Sequence, residues 1–285
     1  MLGTLALGLV GCERGSELER WAFDRSAFDP VPSPGEGDWL AQHEESGQSV
    51  EQFLASQPNL PEPARRTIVV QPLGSLAHFK GPLLATQQEF LRLYFRLPVV
   101  ILPTLDLSAL PVRQRKRGGK QQLCADDVLD ALEQRVQADA YCCIGVTNID
   151  LYPDDNWNFV FGLANLRQRV GVFSLARYDD AFYGEPPTQR GLVTERTFKV
   201  LSHEVSHMFG IQHCTAYACI MNGANSQSEL DRAPSHACAV CLEKLHRVIG
   251  FPLVERYRNL QAFYAGQGLS AEAAWLSARL ATAPR

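Results

Sequence analysis

The chain has no apolar run that reaches the ~20 residues of a membrane span, which argues against a transmembrane helix. It also has no long basic stripe, and a net charge of −4 runs against a nucleic-acid binder. The one basic run, RQRKRGGK from Arg113 to Lys120, carries two glycines and reads as a solvated, mobile loop. Charged residues are 20% of the chain against 46% hydrophobic. That balance is ordinary for a globular enzyme with a buried core, and 285 residues suit one large domain or two modest ones.

What is present is concentrated between Leu201 and Cys219, LSHEVSHMFGIQHCTAYAC. On a helix His203 and His207 stand one turn apart on the same face, so two imidazoles can grip one metal ion. Glu204 projects beside them, where a carboxylate can take a proton from zinc-activated water. Gly210 suits the stop, since only glycine enters the left-handed region cheaply, and the chain can double back to offer His213. Three neutral imidazoles leave zinc an open position, as in catalytic sites. HExxH alone also occurs on exposed helices; the extension to HExxHxxGxxH is what makes the pattern specific. The apolar residues Val193, Phe198, Leu201, Val205, Met208 and Phe209 supply a buried stripe, giving a zinc helix over 193–211.

Cys214, Cys219, Cys238 and Cys241 form two local pairs, the pattern of a closed four-thiolate zinc site. Two disulfides could use the same four residues. Because Cys214 follows His213 directly, a metal there would pin the loop that carries the third imidazole.

The rest of the chain frames this stretch. Residues 1–12, MLGTLALGLVGC, are similar to the signal of a bacterial lipoprotein, with Leu9-Val10-Gly11-Cys12 as lipobox and Cys12 as the acylated anchor. That would place the protein on the periplasmic face of a membrane. The run lacks a positive n-region, so the alternative is a frayed apolar start, a free thiol and a cytoplasmic address. Residues 13–65 are rich in breakers but hold Trp21, Phe23, Phe28, Trp39 and Phe53, too many aromatics for a linker. They read as an arm with short helical turns draped over a catalytic domain of 66–285. Within that domain, strands are expected at Arg66–Pro72, VVIL, Tyr141–Thr147, Asn158–Leu163 and Val170–Leu175. Helices are expected at Pro82–Leu97, Asp126–Val136, Leu242–Ile249, Val254–Tyr264 and Ala271–Ala281. The alternation gives an α/β (α+β) layer beside the cleft, with a C-terminal part over 212–285.

HEVSHMFGIQHCTAYACIM followed by CAVC resembles the archaemetzincins, as do Ile144–Leu166 and FPLVERY at Phe251–Tyr257, closest to the animal-type members. The resemblance runs from about Arg66 onward. It implies a metzincin-like domain with a mixed twisted sheet, an active-site helix and a smaller helical C-terminal part. It also implies two Zn²⁺ ions: a catalytic one on His203, His207 and His213, and a structural one on Cys214, Cys219, Cys238 and Cys241. Met221 falls where that family has its Met-turn methionine, whereas Gly223 stands where a proton-donating tyrosine would be sought. The expected activity is hydrolysis of a peptide or protein substrate by a monomeric zinc metallopeptidase, endo- or aminopeptidase, with Glu204 as general base. A zinc-stabilised binding module without turnover would share every ligand; only Glu204, superfluous in a scaffold, speaks against it.

Overall fold

The computed structural model describes residues 17–77, 79 and 81–284. Cys12 and its apolar run lie outside these. Eight strands form two sheets: β1 (Thr67–Leu73), β2 (Val99–Ile101), β3 (Gln114–Arg117), β4 (Lys120–Cys124), β5 (Ala140–Thr147), β6 (Asp150–Tyr152), β7 (Gly162–Ala164) and β8 (Val170–Ser174). The main helices are α1 (Val50–Ala55), α2 (Leu84–Phe95), α3 (Ala125–Glu133), α4 (Arg190–His207), α5 (Gln227–Arg232), α6 (Ala239–Ile249), α7 (Leu253–Gly266) and α8 (Ser270–Ala281). None of the described helices is long and apolar enough to cross a membrane.

The larger sheet has the order β2-β1-β5-β8-β7, parallel throughout except for β7, which runs antiparallel to β8 at the edge. Every residue of β5, AYCCIGVT, is buried, the continuous apolar run expected of a strand covered on both faces. The smaller sheet, β3-β4-β6, joins an antiparallel hairpin to a parallel strand. The fold is therefore mixed α/β, as the element order predicts.

Two local expectations are corrected. The basic run is no mobile loop: it forms the β3–β4 hairpin, with Arg117 opposite Lys120 across Gly118-Gly119. Both glycines have positive φ (54° and 77°), which a two-residue turn between right-twisted strands requires. Arg115 lies 3.8 Å over the Tyr152 ring and donates to Gln122, so its charge is folded back and not free. The second correction concerns Asn158–Leu163, where only Gly162–Ala164 is regular strand. Gln122 and Arg115 donate to the Asn158 carbonyl, and Val160 bridges Leu151 of the smaller sheet, so the segment is pulled away from the ladder before Gly162.

Helix α4 crosses the larger sheet with almost all of its length buried, polar residues included. The polar groups are paired. The hydroxyls of Thr197 and Ser202 donate back to the carbonyls of Val193 and Phe198. Arg196 makes a two-pronged pair with Asp231 (2.8 and 2.6 Å), and the Lys199 ammonium meets Glu195 and the carbonyls of Leu230 and Asp231. The helix begins three residues before the expected Val193 and ends at His207, four before the expected 211. Met208–Gly210 continue as a turn, and Gly210, with φ +89°, reverses the chain.

The N-terminal arm contributes to the core. Ala22, Phe28 and Phe53 are buried in the same cluster as β1, β5, α4 and the C-terminal helices. Helix α1 is fixed at its start by a capping box between Ser49 and Gln52.

Candidate active site and metal centres

His203 and His207 leave the last two turns of α4, and His213 returns beyond Gly210; one ring nitrogen of each lies within 4.8 Å of the other two. Each imidazole is aimed from behind. His203 Nδ1 donates to the Ile220 carbonyl (2.8 Å), His207 Nδ1 to the Ile211 carbonyl (2.6 Å) and His213 Nδ1 to the Glu45 carboxylate (2.9 and 3.1 Å). Such acceptors fix the tautomer, so the proton sits on Nδ1 and the Nε2 lone pair points inward. Burial pulls His203 down to about 3, with His213 adding to the effect, and burial with both neighbouring histidines holds His207 well below the ordinary range. Neutral rings with free lone pairs are what a metal needs.

The tautomers give the test of fit. His203 Nε2 and His207 Nε2 face each other at 2.9 Å. With both protons committed to Nδ1, that approach sets lone pair against lone pair, which is repulsive unless a cation stands between them. The donor set therefore fits zinc.

Glu204 is 6% exposed, and burial pushes its carboxyl up to about 8. Its side chain lies against β7: a Cβ on Gly162 would stand 2.6 Å from Glu204 Cδ and 2.7 Å from Cγ. A cation in the triad would favour the ionised form and oppose the effect of burial.

Behind the triad, the Cys214, Cys219, Cys238 and Cys241 sulfurs lie within 4.8 Å of one another, all four residues buried. Cys214 and Cys238 sulfurs are 3.7 Å apart, against about 2.05 Å for a disulfide, and all four are free thiols. Hydrogen bonds from Cys219, Cys238 and Cys241 drive the Cys214 thiol down. Burial pushes Cys219 well up, and the bond to Cys214 does the same to Cys241. One negative sulfur among three thiols is the pattern of a crowded cluster without a cation; a divalent ion would let all four ionise. The loop between the two clusters is closed by Cys214 N–H donating to the Met221 carbonyl (2.8 Å), and Met221 is buried. Asn222 spans it too, donating to the carbonyls of Cys214 and Tyr217 and accepting from Cys219 N–H.

The triad opens on a cleft of ≈ 1150 Å³. One wall is Phe161–Ala164, the edge of the larger sheet. Another is aromatic and partly from the arm: His43 stacks on Trp157 (5.3 Å, 8°), and Trp39 meets His43 at 4.0 Å and His213 edge-on at 5.0 Å. Trp39 also lies over Gly223, where a Cβ would be 2.5 Å from its indole. Thus every site residue expected from sequence lies in one of the two clusters or, for Glu204, beside the triad. Glu45, Trp39, Asn222 and Gly162 were not expected. Only Gly162 carried a signal, an isolated glycine in a strand-like run that marks close approach of another group. Burial would raise the Glu45 carboxyl, but its hydrogen bond to His213 and the charge of that ring outweigh burial and hold it below the usual range.

A model of peptidase family M54 matches residues 119–247. Among curated proteins, archaemetzincin-2 of Homo sapiens is 34% identical over 269 residues, covering 82% of this chain and 73% of that protein. Archaemetzincin-1 of Mus musculus is 32% identical over 277 residues, covering 86% of this chain and 55% of that protein. Among solved structures, archaemetzincin from Methanopyrus kandleri is 26% identical with a TM-score of 0.52, covering 67% of this chain and 99% of that one. A zinc-dependent peptidase from Methanocorpusculum labreanum is 25% identical with a TM-score of 0.51, covering 62% and 99%. With about a third of its residues shared across most of its length, the chain belongs to the archaemetzincins, zinc metallopeptidases of family M54.

Proposed function

We propose that the protein hydrolyses peptide bonds at a zinc ion held by His203, His207 and His213, with Glu204 as general base. A second zinc, held by Cys214, Cys219, Cys238 and Cys241, has a structural role. The observation that carries this reading is the facing of His203 Nε2 and His207 Nε2 at 2.9 Å with both protons fixed on the outer nitrogens. Zinc, when bound, supplies a Lewis acid that acidifies water and polarises the scissile carbonyl. Glu204 takes the proton of the attacking water on a carboxylate oxygen and hands it to the leaving amine. Its burial suits both halves of that task, because a carboxyl with a raised pKa keeps a proton long enough to deliver it.

The substrate strand would lie along β7. Phe161 O accepts from Ser174 N–H and Asn165 N–H donates to Val170 O, so the alternating backbone groups of Gly162 and Ala164 point away from β8 and toward the cleft. An extended peptide can add there as a further strand, its scissile bond passing Glu204.

Two measurements test the reading. Metal analysis should find two zinc ions per chain, and a single zinc would remove one of the two sites. A peptide library should be cleaved by the zinc-loaded protein and left intact by Glu204→Gln with zinc retained. Tight peptide binding by the native chain without cleavage would replace peptidase with binding module.

A further inference from the structure

We propose that Glu45, on the N-terminal arm, is a positioning residue of the zinc site: it sets the orientation and donor strength of His213 from a point 168 residues away in sequence. This rests on the peptidase reading above and deepens it.

The three ligands differ in how they are held. His203 and His207 stand on a buried helix, and main-chain carbonyls aim both rings. His213 stands on a loop, and its Nδ1–H finds a carboxylate, reached by both oxygens at 2.9 and 3.1 Å. A carboxylate behind a ligating imidazole makes it a stronger donor and locks its ring plane; loss of such a partner typically weakens metal binding about 10–100-fold.

Glu45 is itself held in place. The arm is stitched to the His213 loop on both sides of the ligand. Val31 N–H donates to Ala216 O and Ala218 N–H to Asp29 O, and Gln48 meets Gly210 O and Gln212 N–H. Asp38 pairs with Arg232 at 2.7 Å, Glu229 accepts from Trp39 N–H, and the Trp39 indole occupies the space above Gly223. Glu45 is partly buried between these anchors, so its carboxylate meets the ring without a large ordering cost.

The test uses the full-length, zinc-loaded protein with Glu45→Ala and Glu45→Gln. Zinc affinity is read by chelator competition, with the four-cysteine zinc as an internal reference, and the visible spectrum is read after cobalt(II) exchange at the histidine site. Glu45→Ala should lose about 10–100-fold in affinity at the histidine site alone, shift its cobalt bands and lower kcat more than it raises KM. Glu45→Gln keeps an acceptor but not the charge, so it should restore the cobalt bands and recover part of the affinity, staying about threefold or more below wild type. Should the alanine variant not fold, the glutamine variant decides alone. Native affinity and an unshifted spectrum in whichever variant folds would overturn the proposal. If the native chain holds no zinc at the triad, the peptidase reading fails instead.

Discussion

Glu204 is pressed against a residue that has no side chain. A Cβ on Gly162 would stand 2.6 Å from its carboxyl carbon, closer than real Cβ atoms approach anything. The general base and the edge strand thus share one space, and glycine is what lets them.

Gly162→Ala should therefore displace Glu204 while leaving the metal ligands alone. A misplacement of ~1 Å in a catalytic group can lower turnover about a hundredfold. Steady-state kinetics should show kcat reduced by roughly that factor, with two zinc ions still bound. Normal kcat in this variant would show that Glu204 does not need its observed position.

Ala164→Pro removes an N–H that faces the cleft and not the β8 ladder, so the fold should tolerate it as edge strands tolerate proline. If extended substrates pair with β7, KM should rise on the order of tenfold with kcat little changed. Unaltered KM across a set of peptide lengths would place the substrate elsewhere in the cleft.

Replacing Cys238 with serine tests the link between the two metal clusters. Cys238 N–H donates to Cys219 Sγ, and Cys214 adjoins His213 while donating its own N–H to Met221 O. The variant should lose one zinc and lower the peptidase rate roughly tenfold or more although no histidine was touched. Loss of one zinc with undiminished cleavage would make the sites independent.

The raised Glu204 carboxyl predicts a pH signature in the metal-free protein. Below the ordinary value of 4.5 the group is protonated in folded and unfolded chains alike. Between 4.5 and about 8 the unfolded chain releases the proton and the folded chain keeps it, so stability is lost as pH rises through that window. Glu204→Gln has no such proton. Its melting temperature relative to the parent chain should climb from pH 4.5 to 8, and a constant gap would mean that the carboxylate is not desolvated.

The triad and the four-cysteine cluster were legible because their ligands recur at local spacings that metal geometry imposes. Helix α4 was legible as well, though it stops at His207, because Met208–Gly210 already belong to the turn that brings His213 back. The basic hairpin escaped because charge hid its strand character; Gly118-Gly119 was the available signal. Glu45 and Trp39 had no signal at all. Their partners His213 and Gly223 lie far along the chain, and no periodicity in residues 38–47 points to a metal.

The two carbonyls behind the helical ligands have a consequence for how this site varies. Every amino acid carries a main-chain oxygen, so Ile211 and Ile220 can be exchanged for other residues of similar bulk without removing the acceptors of His207 and His203. A saturation library would score positions 211 and 220 by volume alone and give no hint that each touches a ligand. Position 45 is the opposite case: there a single codon change can detune His213 and spare all three histidines. Natural variants with altered metal preference are therefore expected to differ at the arm before they differ at the helix.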